Sequence, residues 1–118
     1  MSRDLREGDI IFVDFDPAFG QEQAGKRPAL VLSTFPFNRR SNKVIVAAIS
    51  QGACFSRDQG MTVSLIGAGT QTQGVVICDQ IRTIDVVARK AFYIETVPDF
   101  ILETVLGKLV TIIGIEPE

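Results

Sequence analysis

Seven short runs rich in Val, Ile and Phe follow one another along this chain, each fenced by Gly, Asn, Asp or Pro. They are Asp9–Phe15, Pro28–Ser33, Lys43–Ser50, Met61–Leu65, Gly74–Asp79, Thr83–Val87 and Phe92–Thr96. β-Branched and aromatic side chains suit a pleated, half-buried surface, and the fencing residues suit turns. Seven strands at this spacing predict a mainly β fold, a small barrel or sandwich. A polar turn, Asn38–Asn42, is expected before the third run. The C-terminal stretch has another period. From Pro98 onward, Phe100, Ile101, Val105, Leu106, Leu109, Ile112 and Ile113 recur mainly every three or four places, which predicts a helix. Its length of about 16 residues gives about 24 Å, enough to cap an open end of a barrel, while a helix packed for stability alone is the plainer role.

The 118 residues suit one domain, 1–118, with one core. The longest unbroken apolar stretches, such as Val44–Ile49, fall far short of the roughly 18 residues of a membrane span. The N-terminus is charged with no apolar segment behind it, so a cytoplasmic location is expected and no membrane partner. There is no histidine, and Cys54 and Cys78 form no CxxC pattern. No metal or other cofactor is expected, and acid–base chemistry must come from Asp, Glu, Arg, Lys, Tyr or a hydroxyl. A net charge of −2 counts against a general nucleic-acid binder but leaves room for a local basic groove. Lys26, Arg27, Arg39, Arg40, Lys43, Arg57, Arg82 and Arg89 are its candidate cations.

Glu22 and Arg27 sit in or beside a loop with glycines at 20 and 25, directly before an apolar run. Glycine lets such a loop approach a ligand closely. A carboxylate can accept a proton, and a guanidinium can bind two phosphate oxygens at once. The bland reading is a solvated loop with a weak surface ion pair. Ser50 ends the third run; its hydroxyl suits a phosphate or ribose, or equally a turn backbone group. The loop Gln51–Gly60 has the length of a binding loop or lid. Within it Phe55 and Arg57 offer a stacking face and a phosphate contact, or Phe55 folds back on the barrel. Asp79 shares a strand face with Ile77, opposite Cys78. It is a second acid–base candidate, or a partner of Arg82, or a turn cap.

In their order along the chain these segments resemble the MazF/PemK-type toxins of bacterial type II toxin–antitoxin pairs. The matching stretches are "GDIIFVDFDPAFGQEQAGKRPALVLS", "VAAIS", "GVVICDQIRTID" and "VPDFILETVLGKL". "SQGACFSRDQGMTVSL" and "CDQIRTID" are most similar to the PemK and ChpB branch. The resemblance implies a strongly bent SH3-like barrel with a C-terminal helix, usually a homodimer. It implies a metal-independent endoribonuclease that cuts single-stranded RNA, chiefly messenger RNA. Growth would stop until a cognate antitoxin covers the RNA groove, and operator DNA would be bound only by the toxin–antitoxin complex. Carried over position by position, the catalytic set is Arg27, Glu22, Ser50 (a Ser where Thr is common) and Asp79. RNA contacts are expected from Gln21, Gln51, Phe55, Arg57, Gln73 and Gln80.

Two positions depart from the PemK pattern. Gln21 stands where a histidine precedes the Glu-Gln pair, and Ile77 where an arginine is paired with the aspartate. That arginine–aspartate chemistry is closed to this chain, which joins a PemK-like framework to the MazF-like use of Arg27 with Ser50. Other readings are a CcdB-like inhibitor of DNA gyrase, with the same barrel and no catalysis, and a toxin inactivated at Gln21 and Ile77. The Glu-Gln-x-Gly-x-Arg-Pro run argues against the former. A groove for proline-rich peptides would be lined with aromatics, and this chain has no Trp and one Tyr.

Overall fold

Both sides of the first strand are buried. Ile10 faces one apolar cluster, while Ile11, Val13 and Phe15 face another. The computed structural model describes residues 4–17, 19, 20, 22, 24–51 and 59–114. Its strands are β1 (Asp9–Asp14), β2 (Lys26–Val31), β3 (Lys43–Ser50), β4 (Thr62–Ser64), β5 (Val75–Asp85) and β6 (Phe92–Thr96). Helix α1 (Phe35–Ser41) joins β2 to β3, and helix α2 (Asp99–Ile113) ends the fold. The strands form one antiparallel sheet in the order β4-β5-β3-β2-β1-β6.

One face of the sheet carries Ile10, Leu30, Ala47, Ile49, Val76 and Cys78, and Ile101, Val105 and Leu109 of α2 pack on it. The other face carries Ile11, Val13, Ala29, Val31, Val44, Val46 and Ile84. Each fully buried Val, Leu or Ile contributes about 1.5–3 kcal/mol of transfer free energy. Burial on both faces explains why the central runs read as near-continuous apolar stretches. The same burial accounts for Cys78. Removal from water pushes its thiol up to about 11, with nearby Lys108 opposing and Asp79 adding to the rise. Among the described residues no helix is long and apolar enough to cross a membrane.

Two expectations need correction. The fifth and sixth runs of the β pattern differ first: Gly74–Asp79 and Thr83–Val87 are not two strands but one, β5, so the sheet has six strands. β5 runs through its polar middle because the ladder slips there. β3 pairs Ala47 with Ile81 and then Ile49 with Val76, leaving the segment 77–80 opposite Ala48. Second, Asn38–Asn42 is not a turn but the second half of α1 and its cap. Pro36 suits the first helical turn, and Asn42 closes the helix at φ 58° with its N–H on the Asn38 carbonyl. Asn38 is buried because its amide donates to the carbonyls of Leu5, at 2.9 Å, and Ser33, at 3.0 Å. Helix α2 packs Ile101, Val105 and Leu109 on the sheet, against β4 and β5, as the plainer reading of its period has it.

Where the ladder ends, side chains close the curl. The Glu95 carboxylate of β6 accepts the N–H of Gln71 (3.0 Å) and both the N–H and the hydroxyl of Thr72 (2.7 Å each). These bonds tie β6, one edge of the sheet, to the connection between β4 and β5 at the other. Partial burial alone would raise the Glu95 carboxyl, but the Thr72 hydroxyl and the two backbone donors outweigh it and hold the pKa below its ordinary value. A depressed folded-state pKa adds stability above the unfolded pKa, which disappears as pH falls through the folded value. Glu95→Gln is therefore expected to lower the melting temperature at pH 7, and the gap to the unsubstituted protein should shrink steadily below the ordinary Glu pKa of about 4.3. Melting curves from pH 7 to pH 3 check this; a constant gap would disprove the linkage.

Candidate functional site

Arg27 and Ser50 stand at the same end of neighbouring strands. β2 and β3 pair Val31 with Val46, Leu30 with Ala47 and Ala29 with Ala48. The pairing runs as far as Ala29 and Ala48, and Arg27 and Ser50 each lie two residues beyond it at the same end. Alternation agrees: Ala29, Val31, Val46 and Ala48 all belong to the cluster away from α2, and Arg27 and Ser50 share their parity. An arginine and a serine thus stand at one end of the same two strands, remote from α1.

Arg27 is half-buried, and its Nε donates to the Ala24 carbonyl at 2.9 Å. That bond orients the guanidinium, and among the described residues the terminal nitrogens make no other hydrogen bond. Among the described residues no carboxylate forms an ion pair with it. Ser50 is buried at the strand end, paired with Val75 of β5. At the next residue the Gln51 side-chain amide donates to the Gln73 carbonyl at 3.1 Å, which links two of the expected RNA contacts to each other. Gly74 makes this junction possible. A Cβ there would fall well inside contact distance of the Ser50 carbonyl oxygen and 3.1 Å from its carbon.

Glu22 is exposed, and its Oε1 accepts the Phe19 N–H at 2.9 Å while its own N–H bonds the Phe19 carbonyl. The carboxylate closes a turn in its own loop and makes no ion pair with Arg27. Asp79 is exposed in the segment where the β3–β5 ladder slips, with half-buried Gln80 beside it. Ile77 pairs with Thr62 of β4 and is buried. Arg82 does not turn to Asp79; its guanidinium donates to the Phe15 carbonyl at 2.7 Å. Gln21, Phe55 and Arg57 lie outside the described residues. An apolar cavity of about 360 Å³ lined by Leu32, Ile45, Ile81, Leu106, Leu109 and Ile113 holds none of the four candidate catalytic groups.

Sequence reading passed over Asp16. Its Oδ1 accepts the Gly25 N–H at 2.9 Å, across the neck of the Arg27 loop. The available signal was an acidic residue at one end of a loop and a glycine at the other. Gly74 was read as a strand boundary; only the strand pairing exposes its contact with Ser50.

Comparison with known proteins gives a consistent picture. Residues 6–113 match the family described as PemK-like, MazF-like toxin of type II toxin–antitoxin system. The chain is 44% identical to endoribonuclease PemK of Escherichia coli over 93% of its own length and 83% of that protein's. It is 40% identical to the endoribonuclease toxin ChpB of Escherichia coli strain K12, over 93% of this chain and 95% of the relative. The crystal structure of MazF (Form-I) from Deinococcus radiodurans superposes with a TM-score of 0.87 at 30% identity, covering 97% of this chain and all of that one. A MazE–MazF structure (Form-II) from the same organism superposes with a TM-score of 0.81.

Proposed function

This chain belongs to the PemK-like, MazF-like toxins of type II toxin–antitoxin systems, and from that premise we propose that it is an endoribonuclease cutting single-stranded RNA without a metal. What supports the reading is that Arg27 and Ser50 stand at the same end of the paired strands β2 and β3, at positions with the parity of Ala29 and Ala48. The matched relatives named endoribonucleases span most of the chain, which favours RNA cleavage over gyrase inhibition.

The chemistry follows from what these side chains can do. The ribose 2′-OH attacks the adjacent phosphorus, so the nucleophile arrives with the substrate. Bond formation at phosphorus expels the 5′-oxygen of the next nucleotide and leaves a 2′,3′-cyclic phosphate and a 5′-OH. Arg27 meets the charge that grows on the phosphorane oxygens, with a guanidinium already oriented by Ala24. Glu22 is the first choice to take the 2′-OH proton, through the carboxylate oxygen that Phe19 does not occupy, and Asp79 is the second. Positioned acid–base groups of this kind supply about 10²–10⁴-fold. Arginine holds its proton too tightly to serve as the acid. Ser50, at the same end of the paired strands, can relay a solvent proton to the departing oxygen.

A cognate antitoxin and a homodimer accompany this reading. Supporting them is apolar surface left on α2, where Phe100, Ile112 and Ile113 are exposed. In such a pair, operator DNA would be the partner of the complex only.

The test uses purified protein and a defined RNA in excess EDTA. Cleavage is expected to persist, with 5′-OH ends and cyclic phosphates. Intact RNA, or 5′-phosphate ends, would refute the mechanism. Mapping of RNA 5′ ends after induction in cells reports the site preference.

A further inference from the structure

We propose that Arg82 is a positioning residue for Arg27, acting through the neck of the loop between β1 and β2. The inference rests on the ribonuclease reading, in which Arg27 is catalytic.

The path is a chain of hydrogen bonds. Arg82 leaves β5 opposite Val46, on the same sheet face as Arg27. Its guanidinium lies 5.6 Å from the centre of the Phe15 ring and donates to the Phe15 carbonyl at 2.7 Å. Phe15 is itself almost fully buried, so this grip fixes backbone and not only a side chain. The Phe15 N–H in turn bonds the Gly25 carbonyl at 3.0 Å, and the Gly25 N–H bonds Asp16 Oδ1 at 2.9 Å. Gly25 is next to Ala24, whose carbonyl receives Arg27 Nε. Arg89 adds a second grip, donating to the carbonyls of Asp14, at 3.2 Å, and Asp16. Two cations that composition alone offers to an RNA groove are therefore spent on three successive loop carbonyls. Charge-assisted bonds to neutral carbonyls are among the stronger ones available to a half-buried arginine. Their consequence is a loop that cannot rotate without moving the carbonyl that aims the catalytic guanidinium. A displacement of about 1 Å at such a group is enough to cost about 10²-fold in rate.

Arg82→Met tests this, because it keeps an unbranched stem over the Phe15 ring and removes every donor. The Arg27 Nε–H resonance in a ¹⁵N-correlated spectrum is expected to shift and lose exchange protection. The Phe15 and Gly25 amides should exchange at least about 10-fold faster, while amides of the β3–β5 ladder away from position 82 keep their protection. RNA cleavage should lose about 10- to 100-fold in kcat with KM within about 2-fold, the pattern of a misplaced catalytic group. Arg82→Lys, which keeps a donor on a flexible stem, should recover part of that loss. Should Arg82→Met fail to fold, Arg82→Gln is read by the same resonance. An unchanged Arg27 Nε–H signal and unchanged Phe15 and Gly25 exchange would overturn the proposal. So would a rise in KM at constant kcat with a weaker salt dependence, since that marks a direct phosphate contact. If the unsubstituted protein leaves RNA intact, the ribonuclease reading falls, and the Nε–H signal still decides whether Arg82 aims Arg27.

Discussion

Arg27→Ala is expected to remove RNA cleavage and growth arrest while the protein stays folded. Loss of one preorganised donor to a developing oxyanion typically costs about 3–4 kcal/mol, or about 10²–10³-fold in rate. Arg27 combines that role with charge, so its loss should sit at or beyond the upper end. Stability should hardly move. The side chain is half-exposed and makes a single described hydrogen bond, Nε to Ala24. A lost bond of that kind is worth about 0.5–1.5 kcal/mol. Arg27→Lys separates charge from geometry. The ammonium keeps the charge but cannot present two parallel donors while a third is anchored on Ala24. Most of the rate should therefore be missing from Arg27→Lys as well. Cleavage of a defined RNA in EDTA, melting curves and binding of the antitoxin complete the measurement. Near-normal cleavage by Arg27→Ala would remove the central assignment.

Glu22 and Asp79 are separable by the same assay. If Glu22 takes the proton, Glu22→Gln should fall by about 10²-fold or more and Asp79→Asn much less. The Phe19–Glu22 turn makes the comparison fair, since a glutamine oxygen accepts the same N–H.

Much of this architecture is legible in the residue order, and the parts that are not share a cause. β1, β2, β3, β6 and α2 announce themselves because each buries a run whose period matches its backbone. β5 hides because Asp79–Arg82 looks like a turn. Only pairing with β3 on both sides of the slip, and with β4 at one end, carries a strand through that polar stretch. α1 hides because Asn38 is polar, and its burial depends on carbonyls of Leu5 and Ser33 that no local pattern reveals. The site follows the same rule. Glu22, Arg27, Ser50 and Asp79 stand out as residue types beside loops and strand ends. That Arg27 and Ser50 stand at the same end of paired strands is a matter of register across a connection containing a helix, and sequence spacing does not encode it. Arg82 shows the limit from the other side. As a charge it was one candidate among several for the groove, and the fold commits it to a carbonyl.

Gly74→Ala is expected to be the most damaging small change in the sheet. At φ +120° the glycine occupies backbone space that side chains rarely enter. Strain of that sort costs about 1–3 kcal/mol before any contact is counted. The added methyl would also drive into the Ser50 carbonyl and stand 3.2 Å from Cγ of Gln51. The carbonyl is backbone of β3 and has no rotamer by which to yield, so the Ser50–Val75 pair must open or the connection must move. A total of about 3–5 kcal/mol is expected, in the range reserved for mutations with a named steric cause. Gly69→Ala is the matched control. It too has positive φ, +79°, but a Cβ there meets nothing within 4 Å. Its cost should be backbone strain alone, about 1–2 kcal/mol. Because Gly74 also seats Gln73 against Gln51, its substitution should lower cleavage even under conditions where the protein remains folded. Urea unfolding of the two variants, followed by cleavage assays at a temperature where both are native, distinguishes the effects. Equal destabilisation of Gly69→Ala and Gly74→Ala would mean that the approach of the two chains at Ser50 is not a constraint on the site.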